Sequence, residues 1–134
     1  MIQLSSIRTT TENKQVISEL TRKLELGSEN VIARLAIGYS LGKEKRFTVR
    51  DLKDSKGKEY SKSVLFGNYY PVYVSMICVA YGLHKMDKDI PKFLKIHLDD
   101  GLELINEEYK MNPGLTAADF LVNKIENGLA SLSS

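Results

Sequence analysis

The sequence is poor in the residues that most often build metal sites and covalent cross-links. Among its 134 residues there are one cysteine, no tryptophan and two histidines. One cysteine cannot form an internal disulfide, and its presence alone mildly favours a reducing compartment. Zinc needs several closely spaced Cys or His ligands, and Cys78, His84 and His97 do not provide that spacing. We therefore expect neither a metal site nor a bound cofactor, and we expect His97 to make a local hydrogen bond within a helix.

Long apolar runs are also missing. The longest apolar stretch, residues 69–83, is interrupted by a proline, a serine and a glycine, whereas a membrane-spanning helix needs about 20 apolar residues. Residues 1–7 do not combine a basic region with an apolar run, as a secretory signal does. The sequence therefore predicts a soluble, cytoplasmic protein that has no contact with a membrane.

The usual catalytic motifs are absent as well. The glycines do not form the strand–glycine–helix pattern that binds phosphates. Cys78 lies in an apolar stretch, without the neighbouring positive charge that activates a thiolate. The acidic residues between Asp99 and Glu108 are spread along a predicted helix, whereas a nuclease needs carboxylates that converge on magnesium. We interpret them as a solvated helix face and expect no catalytic activity.

What the sequence does contain is a pattern typical of a mainly α fold, predicted as a single domain over residues 1–134. Apolar/polar alternation from Ile2 predicts a short N-terminal strand. A strand must pair, and no strong second strand follows nearby, so pairing with a second copy of the chain is one expectation. A helical hairpin follows, with Thr9 as the first N-cap and Ser28 as the second. A strand followed by two helices is the arrangement of ribbon-helix-helix proteins.

Further helices are predicted beyond this hairpin. Residues 47–49 could form a brief strand in an irregular segment. Pro71 is well placed to open a helix over residues 70–83, and Pro91 can open another. A last helix is predicted from Thr116.

Positive charge is concentrated in the first half of the chain. Residues 1–67 contain 13 basic and 8 acidic residues, and residues 68–134 contain 6 and 9. Such asymmetry indicates an anionic partner, and the irregular basic segment suits contact with a phosphate backbone better than base reading. The alternative is an ordinary solvated loop. The candidate phosphate contacts are Lys43, Lys45, Arg46, Arg50, Lys53, Lys56 and Lys58, with Arg22 and Lys23 as secondary candidates.

Several stretches, taken together and in order, resemble a known protein family. They are residues 7–12 (IRTTTE), 26–36 (LGSENVIARLA), 54–67 (DSKGKEYSKSVLFG) and 97–101 (HLDDG). Their order and spacing are similar to DndE, a small protein of the bacterial DNA phosphorothioation system. The resemblance covers residues 2–106 as a family-like core and leaves residues 107–134 as a C-terminal helical extension.

The resemblance implies a specific biological setting. The DndE system replaces a non-bridging phosphate oxygen of DNA with sulfur, and other members supply a cysteine desulfurase, an iron–sulfur protein and an ATPase. It implies a ribbon-helix-helix-like fold, a homotetramer, and binding of nicked duplex DNA through basic surface residues. Two positions depart from the family pattern: Asn68 stands where an acidic residue is expected, and Asp100 where a basic residue is expected.

The leading hypothesis is a non-catalytic accessory subunit that binds the phosphate backbone of intact or nicked duplex DNA and acts as a scaffold beside other DNA sulfur modification proteins. A second hypothesis is a ribbon-helix-helix transcriptional repressor that reads an operator through Gln3, Ser5 and Arg8. A third is a protein–protein adaptor that does not bind DNA and whose acidic half contacts a basic partner. A nuclease is the enzyme alternative.

Overall fold

The computed structural model describes residues 1–112 and shows the mainly helical fold that the sequence predicts, together with one short antiparallel sheet. The elements are β1 (Ser6–Arg8), α1 (Thr11–Lys23), α2 (Glu29–Gly42), β2 (Glu59–Ser61), α3 (Lys62–Leu65), α4 (Tyr70–Tyr81) and α5 (Ile90–Met111). No helix in this part of the chain is long and apolar enough to cross a membrane. The helix predicted from Thr116, and the extension from residue 113 onwards, lie outside the described residues.

The N-terminal strand pairs within its own chain. β1 runs antiparallel to β2, with Ile7 opposite Tyr60. The expectation that no partner strand follows within the chain is therefore wrong, and pairing with a second copy stays a prediction. The residue pattern does not indicate β2, because this strand has only three residues and follows a polar, lysine-rich segment. Ile2 and Leu4 lie before β1 and pack, half-buried, against the core.

The α1–α2 hairpin is capped one residue later than predicted. The N-cap of α1 is Thr10, whose side chain accepts a hydrogen bond of 3.1 Å from the Asn13 amide. Thr9 has a different role, because its hydroxyl accepts a hydrogen bond of 3.0 Å from the Lys58 amide near β2. Ser28 occupies the N-cap position of α2, as predicted, but its side chain makes no capping hydrogen bond.

Helix α5 is the centre of the fold, and it packs on α1, α2 and α4. Pro91 lies in its first turn, as predicted, and Pro71 occupies the same position in α4. The buried stripe of α5 includes Leu94, Leu98, Leu102 and Ile105. These side chains belong to the same hydrophobic core as buried residues of α1, α2 and α4.

The segment between α2 and β2 contains no strand. The strand predicted at residues 47–49 is wrong, because Val49–Asp51 forms a turn of 3₁₀ helix. The Thr48 amide donates a hydrogen bond of 2.7 Å to the Asp51 carboxylate. A side chain that captures a backbone amide in this way competes with sheet pairing.

Candidate nucleic-acid interface

Most of the candidate phosphate contacts lie on one irregular segment, residues 43–58, here named the basic loop. Three of its lysines form ion pairs with carboxylates of neighbouring helices. The Nζ–carboxylate distances are 3.3 Å for Lys45–Asp100, 2.8 Å for Lys53–Glu103 and 3.6 Å for Lys58–Glu29. The hydrogen bond from Lys53 to Glu103 raises the pKa of the Lys53 ammonium. Part of the positive charge counted in the sequence is therefore compensated inside the protein.

Four other cations of the basic loop have no such partner. Within residues 1–112, no carboxylate lies within 4.0 Å of the charged groups of the exposed residues Lys43, Arg46, Arg50 and Lys56. The Lys43 ammonium lies 4.9 Å from the centre of the Tyr39 ring, and the Arg46 guanidinium lies 5.9 Å from that of Tyr81. Contacts with ring faces orient a cation without cancelling its charge. These four side chains form the part of the loop that is best suited to phosphate.

The secondary candidates lie elsewhere, on the last turn of α1. Lys23 is 4.0 Å from the Glu19 carboxylate and 5.7 Å from the centre of the Tyr109 ring. Arg22 is exposed and forms no ion pair with any residue of the described range. Cations in a last helical turn interact favourably with the helix dipole, which is a structural reason for both residues.

The basic loop is fixed to the start of α1. One oxygen of Asp54 accepts hydrogen bonds from the amide and the hydroxyl of Thr11, both at 2.9 Å, and from the Lys56 amide at 3.1 Å. The Thr11 amide is the main reason why the pKa of Asp54 is lowered. A Cβ added to Gly57 would stand 2.1 Å from the Thr10 carbonyl oxygen, so the loop backbone passes directly against α1. The backbone that carries Lys56 is therefore held in place.

A buried histidine connects the middle of the loop to the core. His97 is fully buried, with Nδ1 2.8 Å from the Ser40 hydroxyl on α2 and Nε2 2.7 Å from the Tyr81 hydroxyl on α4. The prediction of a local hydrogen bond for His97 is therefore wrong, because both partners come from other helices. The Phe47 amide of the basic loop donates to the same Tyr81 oxygen at 3.1 Å.

The hydrogen-bond directions in this network define the state of the imidazole. Ser40 donates its only proton to Asp100 at 2.7 Å, so Nδ1 of His97 must donate to Ser40. Nε2 is then the acceptor for the Tyr81 hydroxyl. Burial lowers the pKa of His97 to about 4, which agrees with a neutral ring.

The acidic side of α5 is not the solvated face that the sequence predicts. Asp99 is buried, and its carboxylate accepts hydrogen bonds from the Thr10 amide (3.1 Å), the Asn13 side chain (2.8 Å) and the Lys95 ammonium (2.7 Å). The spacing of Lys95 and Asp99, four residues apart in a helix, is a signal that sequence reasoning missed. The remaining contacts depend on the tertiary position of α1.

Among residues 1–112, no group of three or more His, Cys, Asp or Glu side chains is positioned to hold a metal ion. Asp99, Asp100 and Glu103 are instead engaged by lysines, amides and hydroxyls. Asp100 and Glu103 thus contact lysines of the basic loop from α5.

Comparison with known families gives this surface a context. The sequence model of the family described as DNA sulphur modification protein DndE matches residues 6–113. The chain belongs to the DndE family. The match runs from β1 past the end of α5, slightly beyond the core predicted from the sequence. No curated protein matches this DndE family member. Membership gives the chain a role in DNA sulfur modification.

Proposed function

We propose that this chain is a non-catalytic accessory subunit that binds the phosphate backbone of intact or nicked duplex DNA. It works as a homo-oligomeric scaffold, a tetramer by resemblance, beside other DNA sulfur modification proteins. The observation that supports this proposal most strongly is the set of four exposed, unpaired cations on the basic loop. In a family that serves DNA modification, cations of this kind are suited to bind phosphate.

The charge balance of the loop defines how strong such binding is expected to be. Residues 43–58 contain seven basic and three acidic residues, and the three carboxylates paired from outside reduce their net charge from +4 to +1. Four phosphate contacts would give a slope of about −3.6 for the logarithm of affinity against the logarithm of salt concentration. Affinity would fall about a hundred-fold between 50 and 200 mM salt. Binding of this kind is independent of base sequence.

The strand pairing favours an accessory protein over a ribbon-helix-helix repressor. A repressor of that class reads the major groove with a ribbon made by two chains. Here β1 pairs with β2 of its own chain, and this pairing includes an ion pair of 2.9 Å between Arg8 and Glu59. Binding that is lost when Gln3 or Ser5 is replaced would instead support the repressor.

One feature supports the adaptor as a second candidate function. α4 contains no charged residue, and its side chains Val72 and Val79 are 53% and 85% exposed. The neighbouring Tyr69 is 59% exposed. Apolar side chains exposed together favour contact with a protein.

Binding of the purified protein to intact and nicked duplexes of unrelated sequence, across a salt series, tests the proposal. We expect affinity that falls steeply with salt and ignores sequence, and a preference for nicks would support a role at nicked DNA. Absence of binding at every salt concentration would favour the adaptor. Incubation of the same samples with magnesium serves as the control for nuclease activity, and we expect no cleavage of either duplex.

A further inference from the structure

Two carboxylates of α5 are directed at the basic loop. Asp100 and Glu103 are three residues apart, so they lie on the same side of the helix. The Asp100 Oδ1 atom is 3.3 Å from the Lys45 ammonium, and the two oxygens of Glu103 are 2.8 and 3.1 Å from the Lys53 ammonium. Each carboxylate thus occupies the place that a phosphate oxygen would take beside these lysines.

The two sides of these ion pairs differ in exposure, and the difference is largest for Lys45 and Asp100. The side chains of Lys45 and Lys53 are 43% and 55% exposed, so DNA can reach both ammonium groups. Asp100 is 16% exposed, and the Ser40 hydroxyl holds its second oxygen at 2.7 Å. If Lys45 turns towards DNA, the anchored Asp100 carboxylate stays in place, attracts the lysine back and repels the phosphate. Glu103 also keeps its negative charge beside Lys53, although its side chain is 36% exposed.

We propose that Asp100 and Glu103 act as internal competitors of DNA phosphate: in the free protein they hold Lys45 and Lys53, and they thereby limit both the affinity for DNA and its salt dependence. This inference rests on the proposed function, and it adds an autoinhibitory contact to it. In the free protein, the cations available to DNA without competition are then the four unpaired ones. Lys45 and Lys53 bind phosphate only when they leave their carboxylate partners on α5.

The test compares Asp100→Asn, Glu103→Gln and the double variant with the wild-type protein in duplex binding across a salt series. Each substitution keeps a hydrogen-bond acceptor and removes one negative charge. If both lysines become available, the double variant should steepen the salt slope by about 1.8, and each single variant by about 0.9. At low salt we expect the double variant to bind at least ten-fold more tightly.

A matched control separates this effect from a general change in net charge. Glu107→Gln removes one negative charge from the same helix, as each single variant does, and Glu107 is exposed and forms no ion pair within residues 1–112. This variant should leave the slope unchanged. Thermal unfolding of all variants checks that the fold is retained, and Glu103→Gln alone provides the comparison if Asp100→Asn is destabilised.

The outcomes are distinct. If the wild-type protein binds DNA and the double variant has the slope of Glu107→Gln, the autoinhibitory contact is overturned while the proposed function stands. If the double variant binds DNA and the wild-type protein and Glu107→Gln do not, the autoinhibitory contact is supported, while the proposed function of the unmodified protein fails. If no variant binds DNA at any salt concentration, the proposed function fails, and this inference fails with it.

Discussion

Gly101 of α5 lies directly against the backbone of Ala36 in α2. A Cβ added to residue 101 would stand 1.9 Å from the Ala36 carbonyl oxygen, much closer than any real contact. The two helices therefore touch through their backbones, and this contact sets the depth at which α2 sits on α5. Ser40, one turn further along α2, reaches His97 and Asp100 of α5 because of that close approach.

Gly101→Ala should strongly destabilise the fold. The added methyl group meets backbone atoms that cannot move without separating the helices, and we expect a loss of about 3 kcal/mol or more in the free energy of unfolding. Gly38→Ala is the control, because a Cβ at this position of α2 meets nothing within 4 Å. That change should increase stability by about 1 kcal/mol. Urea unfolding measures both, and a Gly101→Ala protein as stable as the wild type would show that the helices are farther apart.

The buried imidazole of His97 should make stability depend on pH. The pKa of His97 in the folded chain is about 4, and that of an unperturbed histidine is 6.5. As the pH falls from 7 to 5, the unfolded chain takes up a proton that the folded chain does not bind. The free energy of unfolding should therefore decrease, by about 2 kcal/mol over this interval. This loss of stability begins as the pH falls below 6.5, the pKa of the histidine in the unfolded chain. It is complete near pH 4, the pKa of His97 in the folded chain.

His97→Gln provides the control for this pH effect. Glutamine does not titrate and retains a donor and an acceptor, so the variant should lose far less stability between the two pH values. Urea unfolding at pH 7 and pH 5 gives all four free energies. Equal losses in the variant and the wild type would mean that His97 does not cause the pH dependence.

The effects of Lys95 and Asp99 on the free energy of unfolding should depend strongly on each other. The two side chains are 9% and 5% exposed, with 2.7 Å between Nζ and the carboxylate. Lys95→Met leaves the Asp99 charge buried without its counterion, and we expect a loss of about 3 kcal/mol. Adding Asp99→Asn removes that charge and keeps an acceptor for Thr10, so the double variant should be more stable than Lys95→Met alone. A double-mutant cycle tests this, and simple additivity of the two changes would contradict it.

The sequence predicts the helices well and their long-range contacts poorly, for physical reasons. Pro71 and Pro91 mark the starts of α4 and α5, because proline fits a first helical turn and few other helical positions. β2 was missed because three residues cannot show a periodic pattern. Its pairing depends on the Thr9 and Gly57 contacts that bring residues far apart in the chain together.

The candidate interface shows the same limit. Counting charges treats every lysine of residues 43–58 as free, yet Lys45 and Lys53 face carboxylates about 50 residues away in the chain. The helical spacing of apolar residues predicts that Asp99 and Asp100 lie on a helix. It does not predict that Asp99 is buried, because that depends on where α1 packs against α5. Sequence therefore predicted the basic segment, and the structure was needed to divide it into paired and unpaired cations.

The measurement that tests the central claim most directly compares two variants that lose the same number of charges. Arg50→Gln with Lys56→Gln neutralises two unpaired cations of the basic loop, and Lys85→Gln with Lys88→Gln neutralises two exposed cations between α4 and α5.

Binding of both variants to nicked and intact duplexes is measured across a salt series. For the loop variant, the slope of log affinity against log salt concentration should be less steep by about 1.8, and for the control it should not change. Its affinity at low salt should fall more than ten-fold, while the control stays close to the wild type. A loop variant that binds DNA as tightly as the wild-type protein would contradict the account.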